Sequence, residues 1–543
     1  MKVTSNKATV SWARLVLAAL IVVVFGASLP AGDGTPKPTN LDQLKQQRKK
    51  AAHRQRRIIF NNDGNEPVYY LKEATPKALL DCRTTALVGT HVDTIFYCTW
   101  SSGFSYFTHD TKVGLPFVCK ENKLANNKTR EFLDQGTDPL KIMVDFCRKN
   151  NIEIFWSMRM NDTHDASGAW YGPLLFPPLK KEHPEWLLGS KDKRPAKGRW
   201  TAVDYGRPEI RDLAFKFIEE VCQNYDVDGI EMDFFRHLNY FKRPSMGKEA
   251  SDEERRMMTD LLRRVRKMTE EIGLERGRPI LVAVRVPDSV GYCAAMGFDL
   301  VGWMEDDLID IFVPSGYFRL NPWEVSVELG HKHGVAVYPC LSESRLRGEA
   351  GKVRQSLAGY RARATNAWAS GADGVYTFNS FNPHSPLWSE LGDPKVLQTL
   401  DKVYTTGARG VRVADSWMMN GSRFLNRRPV SPERPLKLAP GKTAGVELRV
   451  GLQVDATRAG GPAPEVKLRL QIKNLDAPNQ LAVKLNGKPL GGATPSDSWF
   501  EYSVPASLVK KGINRFELTL QPESKAKPIL QDLLLWVRYK RQS

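Results

Sequence analysis

Short apolar and β-branched runs recur between residues 57 and 379, each followed by a polar stretch with helical spacing. The runs predict strands at 57–61 (RIIFN), 94–98 (TIFYC), 152–158 (IEIFWSM), 227–233 (VDGIEMD), 280–286 (ILVAVRV), 309–314 (IDIFVP), 335–341 (VAVYPCL) and 373–379 (DGVYTFN). Between them, Asp138 to Asn150 places Leu140, Met143, Val144 and Cys147 on one helical face. Pro208 to Tyr225 opens with proline and Glu209, which suits a helix amino end. Ser251 to Ile272 opens Ser-Asp-Glu-Glu, a capping start. Parallel strands need crossover helices, so eight strands alternating with helices predict an α/β fold of the (β/α)8 TIM-barrel type. A doubly wound open sheet would carry a glycine-rich phosphate turn after an early strand, and the sequence has none.

A different pattern follows. Residues 430–543 alternate apolar and polar positions at 445–454, 466–473, 480–485, 498–503, 514–520 and 532–540, with turn signals at Asn486-Gly487 and Gly491-Gly492. Strict alternation with such turns predicts a smaller all-β sandwich. The 543-residue chain therefore divides into an expected signal peptide at 1–31, a basic linker at 32–56, a barrel at 57–406, a linker at 407–429 and a sandwich at 430–543. The signal rests on Lys2, Lys7 and Arg14 before the apolar run Leu15 to Phe25, which is well short of the ~20 residues that span a bilayer. The small residues from Ala27 to Ala31 suit cleavage. The expectation is an exported protein, periplasmic, envelope-bound or secreted, with no membrane span after signal removal. Lys45 to Arg57 reads as an amphipathic or disordered lead-in to the barrel.

Charge narrows the partners. A formal net charge of +18 favours a polyanion, and no nucleic-acid motif accompanies it, so an anionic polysaccharide is the better partner. The 7 cysteines lack CxxC or metal spacing, and Cys98, Cys147, Cys222 and Cys340 fall in strand or helix patterns as buried thiols. The sequence holds no HExxH array, no Gly-x-Ser-x-Gly elbow and no Walker loop, and no cofactor or metal is expected.

Active sites of such barrels gather at the carboxyl ends of the strands. The fourth predicted strand ends Glu231-Met232-Asp233-Phe234-Phe235-Arg236-His237, and period-two alternation turns Glu231 and Asp233 to one face. Asp233 is the first candidate for nucleophile or base, and Glu343, after the seventh strand, for general acid. Glu231, deeper on the same face, is the alternative reactive group, and Asp162 or Asp165 a third option for the acid. Neutralising Asp233 is expected to change stability little, because Glu231 beside it repels it. The other strand ends supply Asn61-Asn62-Asp63 and Asp288. Substrate-binding candidates are Trp100, Arg159, Asn161, Asp162, His164, Arg236, His237, Arg285, Tyr317 and Asn379. Long loops near 99–138 and 159–203 carry Phe104, Tyr106, Phe107, Trp170, Tyr171, Trp186 and Trp200, aromatic faces suited either to sugar rings or to packing the loops down.

The runs Trp156-Ser157-Met158-Arg159-Met160-Asn161-Asp162 with His164-Asp165, Val203 to Arg211, Val227 to Arg236, and Gly297-Phe298-Asp299 through Trp303 to Ser315 resemble the exported glycosyl hydrolase-like, family-ten-like barrels of bacteria. The resemblance covers roughly residues 55 to 405 and implies action on a glycan. Glu231 departs from it, standing where family members often have an uncharged residue. Leu481 to Gly487 and Leu533 to Val537 look like galactose-binding-type jelly rolls. Two functions follow: a glycoside hydrolase working with two carboxylates on a poly- or oligosaccharide, or a glycan-binding protein on a hydrolase-like barrel without catalysis.

Overall fold

The computed structural model describes residues 36–342, 346–407, 412–454, 463–475 and 477–539. The expected signal peptide and Glu343 lie outside the described residues.

The eight expected barrel strands all form: β1 (Ile58–Asn62), β2 (Val92–Tyr97), β3 (Glu153–Arg159), β4 (Gly229–Asp233), β5 (Leu281–Val286), β6 (Ile311–Pro314), β7 (Ala336–Val337) and β8 (Val375–Thr377). They pair in parallel in the order β8-β1-β2-β3-β4-β5-β6-β7. A parallel bridge between Cys340 and Tyr376 joins the two ends and closes the ring. β7 is shorter than its apolar run because Pro339 interrupts it; proline has no N–H to give the ladder, and its carbonyl accepts from the Tyr376 amide at 3.0 Å.

Three layers of side chains fill the barrel. At the floor, Arg56 makes a two-pronged ion pair with Glu153 (2.6 and 2.8 Å), and Thr94 donates to the same carboxylate at 2.9 Å. Above it, Phe96 stacks on Phe155 at 4.4 Å and meets Tyr376 edge-on at 5.7 Å. Gly229 of β4 is required here, because a Cβ would collide with the Phe155 ring. The third layer is polar. Register aligns Ser157 with Glu231 and Ala283, and one step higher Arg159 with Asp233 and Arg285.

Helices start and stop where side chains satisfy their free backbone groups. Asp138 caps α2 (Pro139–Lys149), accepting from the amides of Leu140 and Lys141. Next comes α3 (Pro208–Asn224). α4 (Asp252–Arg276) opens on a reciprocal Ser251–Glu254 capping box and ends at Gly277, whose φ of 80° no β-carbon residue adopts cheaply. It runs past Ile272 because Gly273 lies against Leu44 of the first helix. That helix, α1 (Leu41–Ala52), occupies about half of the stretch expected as a basic linker. Of the alternatives for 45–57, the amphipathic one is realised. Arg48, 1% exposed, reaches Asp310 at 2.7 Å and also pairs with Asp307. Arg56 and Arg57 are spent likewise on Glu153 and Asp93. Three of the seven lysines and arginines in this cluster, Arg48, Arg56 and Arg57, therefore hold the barrel together.

Residues 407–429, also expected as a linker, contain a helical turn at Arg412–Trp417 and another at Gly421–Phe424. They pack on the rim, where the Tyr292 hydroxyl donates to the Ala414 carbonyl at 2.9 Å and Trp417 lies 5.7 Å from the His237 ring.

The carboxyl-terminal region forms two antiparallel sheets. The strands are β9 (Lys402–Thr405), β10 (Thr443–Val450), β11 (Glu465–Lys473), β12 (Leu481–Leu485), β13 (Trp499–Ser503), β14 (Gly512–Leu520) and β15 (Ile529–Arg538). One sheet orders β9-β15-β11-β13 and the other β10-β14-β12, each extended by a short edge strand. Alternation buries Val466, Leu468, Leu470 and Ile472 of β11 with Leu448, Phe516 and Leu518 between the sheets. β9 precedes residue 406, yet it pairs with β15 and so belongs to the sandwich. Arg354, wholly buried, clamps the two regions by a two-pronged pair with Asp532 at 2.7 and 2.8 Å. Among the described residues no helix is long and apolar enough to cross a membrane.

Candidate active site

Glu231 and Asp233 both turn into the barrel, as the alternation of β4 requires, and both are out of solvent contact (0 and 2% exposed). Glu231 accepts from the Tyr376 hydroxyl at 2.8 Å, from Asn61 at 3.4 Å and from the Ser157 hydroxyl. Burial pushes its carboxyl above the usual carboxylate range, Arg285 opposes the shift, and the neighbouring Asp233 adds to it.

Asp233 has different surroundings. Its Oδ1 accepts the backbone amides of Phe235 (2.9 Å) and Arg236 (3.0 Å) and Nε of Arg285 (3.1 Å), while Nη2 of Arg285 donates to Oδ2. Arg285 is wholly buried, lies 4.0 Å from the Phe378 ring, and approaches Glu231 to 4.0 Å. One guanidinium therefore serves two carboxylates, so Asp233 is an ion-paired group and Arg285 offsets the repulsion expected from Glu231. Arg285 comes to the site as Asp233's partner.

A second cluster sits over β1 and β3. Arg159 donates to Asp63 at 2.6 Å and to the Trp100 carbonyl at 3.0 Å, and lies 3.7 Å from Asp162. Burial opposes charge on Asp63, yet Arg159, Arg236 and Arg83 hold its carboxyl below the ordinary value. Asp162 is likewise buried, and His164, His237 and Arg159 together bring it well below. Its Oδ2 faces His164 Nδ1 at 2.7 Å, and Oδ1 accepts from the amides of Gly103 and His164, both at 3.1 Å. His164 Nε2 meets Nη2 of Arg236 at 2.8 Å, and Arg236 in turn donates to the Tyr317 hydroxyl. Burial lowers the pKa of His164, so at neutral pH its ring donates from Nδ1 and accepts at Nε2.

The backbone that carries this cluster is strained. Thr99, Trp100 and Ser101 all have positive φ (42, 67 and 35°), a region that residues with a β-carbon rarely occupy. Gly64 makes the close approach possible, since a Cβ there would strike the Thr99 backbone. The strained segment orients the Trp100 carbonyl toward Arg159 and lets Ser101 accept the Arg159 amide at 3.1 Å.

Other expected site residues are placed variously. Asn161 is 1% exposed and spends its amide on the carbonyls of Val203 (2.8 Å) and Asn239 (2.6 Å), so it ties loops together. The Trp100 ring packs against Phe117 and Tyr69, and Phe104 and Phe107 are buried against Phe217. Asp165 is paired with Lys180 at 2.6 Å. Asp288 accepts the amides of Leu320 and Asn321. His237 takes the Thr163 amide on Nδ1 at 3.2 Å. Asn379 stands partly exposed on the rim with φ of 57°. Asp162, His164 and His237 bring ligating atoms within 4.8 Å of one another. Each of those nitrogens is already engaged by Asp162, Arg236 or a backbone amide, with Arg159 and Arg236 close by, a poor setting for a cation. Sequence reasoning gave no role to Asp63, Ser157 or Tyr376, which complete the two clusters. The DGVYTFN alternation, which sets Tyr376 and Phe378 on one face, was the available signal for Tyr376.

Buried carboxylates and arginines gather at the carboxyl ends of β1, β3, β4 and β5 of the parallel barrel, the face where barrels of this type carry their active sites. Residues 72–257, a range that includes β4, match the family model Glycosyl hydrolase-like 10. Glycosyl hydrolase YngK of Bacillus subtilis is 31% identical over 105 residues, 18% of this chain and 18% of that protein. Alpha-galactosidase Mel36A of Lactobacillus acidophilus is 26% identical over 154 residues, 21% of each chain. These alignments span about a fifth of the relatives' length. Among solved structures, the GH36 alpha-galactosidase AgaA of Geobacillus stearothermophilus in complex with raffinose aligns at 13% identity and TM-score 0.37, covering 86% of this chain and 56% of that one. The maltogenic alpha-amylase AmyB of Thermotoga neapolitana aligns at 14% identity and TM-score 0.36, covering 90% and 100%. The sequence matches relate the chain to glycoside hydrolases.

Proposed function

We propose that this protein hydrolyses glycosidic bonds in a poly- or oligosaccharide, with Asp233 as nucleophile or base. The observation that carries the reading is the contrast between two carboxylates on one strand. Asp233 is fixed by a buried guanidinium and two backbone amides, whereas burial makes Glu231 hold its proton more tightly. Environments that differ in this way are how carboxylates are assigned separate roles in hydrolases. Glu231 then sets the charge seen by Arg285, and so positions Asp233 electrostatically. The general acid is Glu343, which follows Leu341 and Ser342 in the sequence after β7. His164 and Arg236, partly exposed at the rim, hydrogen-bond sugar hydroxyls.

A second reading is a glycan-binding barrel without catalysis. It is favoured by the occupation of both carboxylates by internal partners and by their closure from solvent. Incubation with a panel of neutral and acidic polysaccharides separates the two. New reducing ends that vanish in Asp233→Asn support hydrolysis; retention on a glycan with no new ends supports binding alone. Export, which rests on the basic and apolar pattern of residues 2–31, is tested by fractionating cells that express the full chain.

A further inference from the structure

Beside the carboxylate clusters, the rim holds a cavity of 310 Å³, near the lower end of the ~300–1,000 Å³ usual for ligand pockets. Its walls include the guanidinium-bearing Arg194 and Arg199, the indoles of Trp200 and Trp417, and the backbone-bearing Gly198 and Ser416. It abuts the site. The Trp417 ring lies 5.7 Å from His237, and the His237 ring lies 5.0 Å from His164, which meets Arg236.

The charges in this cavity are not used by the fold. Among the described residues Arg199 makes no ion pair or side-chain hydrogen bond, and Arg194 makes only a long bond to the Lys191 carbonyl at 3.5 Å. This sets them apart from Arg48, Arg56, Arg285 and Arg354, each committed to a carboxylate. The wall itself is pinned. Gly198, at φ of 75°, packs where any Cβ would overlap Asn239; its amide donates to the Ser416 carbonyl at 3.1 Å, and Asn239 donates to the Lys197 carbonyl at 2.8 Å. Trp200 is held against Phe176 at 5.5 Å. Two uncommitted guanidinium groups and two fixed indoles are what an anionic sugar needs: charge-assisted hydrogen bonds for the acid group and apolar faces for the ring.

We infer that this cavity is a subsite that reads the acid group of an anionic glycan, a uronate carboxylate or a sulfate ester, next to the site of bond cleavage. The inference rests on the proposed glycan function and adds the substrate's charge and the residues that recognise it. Generic attraction from the +18 net charge would be spread over the surface and would not depend on these two side chains.

The test measures binding and cleavage separately with the full chain. Titration calorimetry with trigalacturonate, with a sulfated trisaccharide and with maltotriose compares wild type with the double variant Arg194→Gln/Arg199→Gln at fixed salt. The double variant should lose roughly tenfold or more in affinity for one or both acidic probes, as expected for charge-assisted bonds, and nothing for maltotriose. Arg194→Lys/Arg199→Lys should recover part of the loss, and whichever acidic probe shows the loss identifies the acid. Both arginines are surface groups, so an unchanged melting temperature checks that folding is intact. Equal affinity of wild type and double variant for both acidic probes overturns the inference, as does an equal loss for maltotriose. Cleavage of neutral glycans with unaltered acid binding in the double variant would sink the subsite and leave the hydrolase reading standing. Arginine-dependent acid binding with no cleavage of any glycan would sink the hydrolase reading and leave the subsite standing.

Discussion

Replacing Asp233 by Asn keeps the shape of the side chain and removes its charge. Arg285 is then left wholly buried, without the carboxylate that meets both its Nε and Nη2. Breaking a buried pair by removing one partner costs about 3–5 kcal/mol, and with both groups at 2% exposure or less no discount for solvent applies. The value should fall at the low end, because Glu231, 4.0 Å from Arg285, can take over part of the charge. With about 2.1 cal/mol/K of unfolding entropy per residue, a barrel of roughly 350 residues loses about 4 °C in melting temperature for 3 kcal/mol. Differential scanning calorimetry at pH 7 measures the shift. An Asp233→Asn protein as stable as wild type, or more so, would refute the reasoning, since it would mean that repulsion between the carboxylates outweighs the ion pair.

Glu231→Gln should behave oppositely and depend on pH. Burial raises the folded-state pKa of Glu231, so its contribution to stability is present below the unfolded value of about 4.3 and is lost as pH rises through the folded value. The stability of Glu231→Gln relative to wild type should therefore grow with pH above about 4.3, and urea midpoints from pH 4 to 8 that run parallel would contradict it. Gly229→Ala should cost about 1–3 kcal/mol by driving a methyl group into the Phe155 ring, read as a lower urea midpoint. Asp532→Asn strands the buried Arg354 and should destabilise the junction between barrel and sandwich by about 3–5 kcal/mol, seen as early proteolysis in the carboxyl-terminal region.

Much of the fold was legible because its pattern is local. Each barrel strand announced itself by a short apolar run, and the capping box at Ser251 and the aspartate cap at Asp138 marked helix starts. The shared face of Glu231 and Asp233 followed from alternation alone. What surrounds them did not, because it depends on register across neighbouring strands: Arg159, Asp233 and Arg285 form one row only once β3, β4 and β5 are aligned. Asp233 thus looked like a rim carboxylate with a repelling neighbour and is a buried ion-paired one. The strained segment 99–101 carries neither glycine nor asparagine, so its positive φ values leave no trace in the sequence. The basic stretch 45–57 was legible as charge but not as structure, since its partners Asp93, Glu153, Asp307 and Asp310 lie far along the chain.

The central claim is that Asp233 of β4 and Glu343 perform glycoside hydrolysis, and the direct measurement is reducing-end release from a polysaccharide panel by wild type, Asp233→Asn and Glu343→Gln. Wild type should cleave at least one glycan. Asp233→Asn, assayed well below its lowered melting temperature, should fall by orders of magnitude because no other group supplies the nucleophile or base. Glu343→Gln should lose most on substrates with poor leaving groups. Near-normal turnover in Asp233→Asn, or the absence of cleavage by wild type across the panel, would contradict the account.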